Sequence, residues 1–177
     1  EALLFVATCL IHRTEITFQP FLFAVLQNLQ SIASMNPKCI SALLGLFRTD
    51  FVIERLTKAD FAPHAPACVS AIFSFIQNTL AADAQQFQFH GTQALRNLAF
   101  HCPTQLASQI ELLAGQAASN SDRSLNFIST ASRKHFMDAL GFIVAALPVE
   151  QAVQAQLHIC WPAVSDMQKM LSEPGEL

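Results

Sequence analysis

The 177-residue sequence has no tyrosine and one tryptophan, and its aromatic content is carried by 15 phenylalanines. Aromatic mass without hydroxyl or indole handles serves packing, and a stacking platform for bases would also need positive charge around it. Charge is scarce. Charged residues make up 13% of the chain, about half the share of an average soluble domain. The net charge is −3, and no run of Lys or Arg exceeds the pair Arg133-Lys134. A nucleic-acid groove needs a clustered basic face, so direct nucleic-acid binding is not expected. The five glycines stand singly, which leaves no phosphate-cradling loop and no expected cofactor. The five cysteines, at 9, 39, 68, 102 and 160, form no CxxC pair and read as reduced residues of a cytosolic or nuclear protein. Gln, Asn, Thr or Ser interrupts every apolar run within a few residues, so no membrane span is expected.

What the chain has in quantity is apolar residues, 52% of the total, set at helical spacing. Leu22, Val25, Leu26, Leu29 and Ile32 form one stripe, and Ile40, Leu43, Leu44 and Phe47 a second. Val69, Ile72, Phe73, Ile76 and Leu80 repeat the spacing, as do Leu106, Ile110 and Leu113. The clearest stripe is Val149, Val153, Leu157, Cys160, Val164, Met167 and Leu171, which keeps to one helix face for about six turns. Strand-like alternation is absent, so the fold class expected is all-α.

Prolines punctuate these stripes. Pro20, Pro37, Pro66, Pro103 and Pro148 each precede an amphipathic run, where the missing N–H would be unpaired in any case. Pro66 and Pro103 are 37 residues apart and Pro103 and Pro148 are 45 apart, close to the period of HEAT and armadillo repeats. The spacing predicts helix pairs at 85–101 with 103–118 and at 124–147 with 149–172, and a helix near 66–82 as the second member of an earlier pair. The whole of 1–177 then reads as one run of about four pairs in a HEAT-type α-α superhelix, with an irregular linker near 49–65 that holds a possible short helix at 51–58. Ser121 or Ser124 is the expected cap of the 124–147 helix. Pro162 is expected to kink the last helix or split it, with Trp161 as a core residue filling the kink or, alternatively, as an interface anchor. The chain opens on Glu1 inside an apolar run and closes on Glu173-Pro174-Gly175-Glu176-Leu177, and both ends read as cuts through a longer solenoid.

Residues that could carry chemistry are few. His101 and Cys102 are adjacent, but sequence neighbours at a helix end point about 100° apart, which is poor geometry for proton transfer. They are expected to be a helix terminus, with His101 near the last carbonyls and Cys102 buried. Cys9 with His12 and His158 with Cys160 could each offer two ligands, and a structural zinc needs four. Asp83, Glu111, Asp122, Asp138 and Glu150 fall in different elements. Gly91, Gly115 and Gly141 are expected to mark close helix approaches. No catalytic, cofactor or metal residue is assigned, and the chain is expected not to be an enzyme. A helical enzyme using Cys102 is the contrary case.

Function then rests on surface. The second helices of such pairs line the side where partners dock. Gln105, Gln109 and Glu111 in one, and Glu150, Gln154, His158, Asp166 and Lys169 in the next, are the candidate partner-facing residues.

Two stretches resemble a known family. Ala139-Leu140-Gly141-Phe142-Ile143-Val144-Ala145-Ala146-Leu147-Pro148-Val149-Glu150-Gln151-Ala152-Val153, continuing to Met167-Gln168-Lys169-Met170-Leu171-Ser172-Glu173-Pro174, resembles a repeat of the β-karyopherins in their transportin-SR and importin-thirteen branch. Thr92-Gln93-Ala94-Leu95-Arg96-Asn97-Leu98-Ala99-Phe100-His101-Cys102 is similar to the preceding repeat of that branch, and Glu1-Ala2-Leu3-Leu4-Phe5-Val6 is a weaker echo of an earlier helix. The resemblance implies a nuclear transport receptor shuttling between cytoplasm and nucleus. Its implied partners are protein cargo, including serine/arginine-rich splicing factors, the GTPase Ran, and nucleoporins. The branch's arginine-rich cargo helix has no counterpart in this sequence. Another HEAT scaffold, of phosphatase or translation-control type, is the alternative.

Overall fold

A computed structural model of the chain describes residues 24–29, 37–58, 61–80, 84–118 and 129–172. Every element among them is helical: α1 (Pro37–Phe47), α2 (Asp50–Arg55), α3 (Ala65–Leu80), α4 (Gln85–His101), a 3-10 helix (Thr104–Gln109) leading into α5 (Ile110–Ala118), α6 (Thr130–Ala145) and α7 (Val149–Ser172). The expected helices near 66–82, 85–101 and 149–172 are therefore present within two residues of their predicted bounds. Residues 1–23 and 119–128, with Cys9, His12, Pro20, Ser121 and Ser124, lie outside the described residues.

The stripes explain which faces go inward. In α1 Leu43, Leu44 and Phe47 are buried, and in α3 Cys68, Val69, Ile72, Phe73, Ile76 and Leu80 repeat the three–four spacing on a buried face. Phe47 meets Phe75 edge to face, ring centroids 5.9 Å apart. α4 is the hub, packing against α1, α2 and α3 and most extensively against α6, while α5 packs against α7. The helices thus alternate between two rows: α1, α4 and α6 in one, and α3, the 3-10 helix with α5, and α7 in the other.

Side-chain hydrogen bonds along the rows join residues 39 to 50 apart in sequence. Arg48 bonds His90, 42 residues on, and Gln93 at 3.1 Å, 45 residues on. Arg96 Nε donates to Asp138 Oδ2 at 3.2 Å, again 42 residues on. In the second row Gln116 Nε2 donates to Gln77 Oε1 at 3.0 Å, 39 residues back.

Three local expectations need correction. The 124–147 helix begins at Thr130, capped by Ser129, whose Oγ accepts from Ser132 N at 3.0 Å. The first turns after Pro103 are 3-10, and α-helix starts only at Ile110. α7 runs unbroken through Pro162 and is not split, and Trp161 is 60% exposed and fills no core.

The stretch expected as a linker near 49–65 contains α2, close to the short helix predicted at 51–58. Hydrogen-bonded turns follow, with Ala65 N donating to Phe61 O at 2.9 Å. Val52, Ile53, Leu56 and Phe61 from this stretch are buried, so it is irregular in path yet part of the core.

Of the glycines expected at close approaches, only Gly91 holds one: a Cβ there would lie 2.5 Å from Thr79 Oγ1, where α3 crosses α4. Gly115 and Gly141 have nothing within 4 Å of that position, so helix approach does not require glycine at either.

Candidate partner-binding site

A groove in the second row runs between α5 and α7, with a volume of about 1270 Å³. Its lining mixes polar and apolar side chains. Ser108 and Glu111 come from the α5 side, Glu150, Gln151, Gln154 and His158 come from α7, and Ile110, Ala114, Val153 and Ala155 lie between them. Glu111 and Glu150 each sit in the first turn of their helix, where the partial positive charge of the helix N-terminus favours a carboxylate. α5 packs against α7, and the first turns of the two helices bring both carboxylates to the same groove. Among its described lining residues there is no Lys or Arg. The groove is thus an acidic trough with amide and imidazole donors and acceptors along one wall.

Four of the eight residues expected to face a partner, Glu111, Glu150, Gln154 and His158, meet in this groove. Gln105 and Gln109 belong to the 3-10 helix outside it, where Gln105 Oε1 accepts from Thr104 Oγ1 at 2.9 Å and Gln109 Nε2 donates to Ser108 Oγ at 3.4 Å. Lys169 is exposed in the last turn of α7, about 16 Å along the helix from His158 and beyond the groove. The side chain of Asp166 lies outside the described residues.

The first row carries a different polar cluster, which residue-by-residue reading missed. Arg48, Asp50, Phe89, Gln93, Arg96, Asn97 and His135 surround a cavity of about 350 Å³ between the end of α1, α4 and α6. The Arg96 guanidinium carbon lies 5.6 Å from the centroid of the Phe142 ring. Burial, and then the positive charge of Arg96, hold His135 below the usual histidine range. Its partners stand 42 to 45 residues apart in sequence, so no spacing within one helix joins them.

The adjacent His101 and Cys102 form a helix terminus, as expected. Cys102 N donates to Leu98 O, and burial pushes the Cys102 thiol up to about 11, so it stays protonated at neutral pH. His101 Nε2 lies 3.5 Å from Asp50 Oδ1 on α2. His158 and Cys160 are both exposed on α7, two residues apart and therefore on different faces.

Comparison with family models, with curated proteins and with solved structures finds no match to this chain.

Proposed function

We propose that this chain is a protein-interaction scaffold of HEAT type, and that its α5–α7 groove holds a positively charged segment of a partner protein. The carrying observation is the convergence of Glu111, Glu150, Gln154 and His158 on one trough among whose described lining residues no cation is found. A cationic side chain laid there gains two carboxylates, and its methylene stem rests on the apolar residues of the lining. The two rows of helices and the contacts about 40 residues apart support the solenoid reading.

The finer proposal is a segment of a nuclear transport receptor of the β-karyopherin kind, with protein cargo, Ran and nucleoporins as partners and a shuttling location. It rests on the resemblance of 92–102 and 139–174. The mechanism is conformational: stacked pairs flex relative to one another as a partner engages the second row.

The test has two arms. A labelled peptide rich in Lys and Arg is titrated into the chain and into the double variant Glu111→Gln, Glu150→Gln. Binding that weakens with added salt, and at least fivefold in the variant, is expected, while equal affinity for both proteins removes the groove. Co-precipitation with Ran loaded with GTP or GDP tests the transport reading, which falls if retention does not depend on the nucleotide.

A further inference from the structure

The polar cavity of the first row gathers the positive groups that the α5–α7 groove lacks. Arg48 follows the end of α1 and Arg96 stands on α4, so two guanidiniums reach one cavity from different elements. Arg48 is exposed, and its Nη1 donates only to neutral acceptors, His90 Nδ1 and Gln93 Oε1. A guanidinium is always charged and only donates, so the charge of Arg48 and its remaining N–H groups are open to a further partner. Arg96 gives Nε to Asp138 Oδ2 at 3.2 Å, and its terminal amino groups carry no hydrogen bond among the described residues. His135, on α6, supplies a third group. Its Nδ1 is buried without a hydrogen-bond partner among the described residues, a costly state for a ring nitrogen in the wall of a polar cavity. Two carboxylates stand nearby. Asp138 holds Arg96 through Nε alone, and Asp50, 80% exposed, lies 3.5 Å from His101 Nε2.

We infer that this cavity binds a phosphate group between Arg48, Arg96 and His135. A planar carboxylate is satisfied by the fork of one arginine, whereas donors from three elements suit a tetrahedral group with several acceptor oxygens. The phosphate takes the free N–H groups of both arginines, so the bonds to His90, Gln93 and Asp138 are kept, and it gives His135 Nδ1 an acceptor. The cavity volume of about 350 Å³ is roughly a dozen times the share of one water in the liquid. That leaves room beside Phe89 for the organic group of a phosphate monoester. Free phosphate and a monoester present the same oxygens, and the test separates them.

NMR of the histidine ring protons of the whole chain reads the site as inorganic phosphate, methyl phosphate or chloride is added at constant ionic strength. Both phosphates should shift the His135 signals saturably, with a dissociation constant on the order of 1 mM, and chloride should not. Tighter binding of methyl phosphate identifies a monoester as the ligand, and tighter binding of inorganic phosphate identifies the free ion. Burial and Arg96 disfavour the His135 proton, Asp138 favours it and Lys134 disfavours it. A phosphate adds an anion beside the ring, so the titration midpoint of His135 should rise when phosphate is bound. Arg48→Gln should weaken phosphate binding at least fivefold with helical circular dichroism unchanged, because Arg48 is exposed. An unmoved His135 midpoint, shifts reproduced by chloride, or full affinity in Arg48→Gln overturns the inference, and the first two need no variant. Arg48 does not line the α5–α7 groove, so Arg48→Gln should leave cationic-peptide affinity intact. The two readings therefore fail separately.

Discussion

α4 and α7 invert what their sequences advertise. α4, QQFQFHGTQALRNLAFH, is rich in amides, yet nine of its residues are buried, including Gln88, Thr92 and Asn97. α7 carries the most regular apolar stripe in the chain, yet none of its described side chains is buried, and Val149 and Leu171 are 79% and 81% exposed. The difference lies in neighbours. α4 is packed by α1, α2, α3 and α6, whereas among the described elements α7 packs mainly against α5 and α6. In a stack each helix buries what the adjacent units cover, so amphipathicity sets which face can be buried and position in the stack sets which face is. Two of these polar residues are partnered: Asn97 Nδ2 donates to Phe47 O, the last residue of α1, at 3.1 Å, and Thr92 Oγ1 donates to Phe89 O at 3.0 Å, whereas the Gln88 side-chain amide is buried without a hydrogen-bond partner among the described residues.

The largest break in that comparison would come from truncating one leucine in each helix. Leu95 and Leu98 in α4 are fully buried, and either changed to Ala should cost about 2–5 kcal/mol through lost burial and the cavity left behind. Leu157→Ala should cost about 0.5 kcal/mol or less, because half its surface is already in water. Urea unfolding measures both. Equal losses would mean that α7 is buried in solution and would end the contrast.

The cysteines sharpen it next. Cys102 closes α4 in the core and Cys160 stands exposed on α7. Burial raises the Cys102 thiol from about 9 to about 11, so the folded state holds its proton more tightly than the unfolded chain. Stability from this group is complete below pH 9 and is lost as pH rises through 11, by about 2–3 kcal/mol in total. Cys68, raised by burial as well, adds in the same direction. Thermal unfolding from pH 8 to 11 should show the decline, with a shallower slope in Cys102→Ala. A thiol reagent should modify Cys160 well before Cys102.

Much of this was readable from spacing alone. Proline punctuation and the three–four stripes locate α3, α4 and α7, because Pro and apolar periodicity act within one helix. Four groove residues were also accessible, since Glu111, Glu150, Gln154 and His158 fall on the polar side of their stripes. What spacing could not give was set between helices. Burial of Phe61 depends on a turn that folds back onto the core. The outward aim of the α7 stripe depends on what stacks beside it. The contacts of Arg48 with Gln93 and of Arg96 with Asp138 join helices 45 and 42 residues apart, which no spacing within one helix reveals. The 3-10 start after Pro103 reflects how Leu106, 1% exposed, is brought inward, a tertiary demand without a local signal.

The glycines give the smallest and most local form of the contrast. At Gly91 in α4, a Cβ would sit 2.5 Å from Thr79 Oγ1 and 3.1 Å from Leu80 Cδ2. Thr79 is buried and its hydroxyl donates to Ile76 O at 2.7 Å, so it yields only by breaking that bond or shifting α3 away from α4. Overpacking of this kind costs about 1–3 kcal/mol, against about 1 kcal/mol gained from alanine's helix propensity, so Gly91→Ala should destabilise by about 1 kcal/mol. Gly141, in α6 beside α7, has open space where the methyl would go. Gly141→Ala should therefore only gain, by about 0.5–1 kcal/mol, through lower entropy in the unfolded chain and better helix propensity. The same substitution thus carries opposite signs in the hub and next to the uncovered helix. Denaturation midpoints of the two variants read that sign, and a loss at Gly141 would place an unseen neighbour against the α6–α7 face.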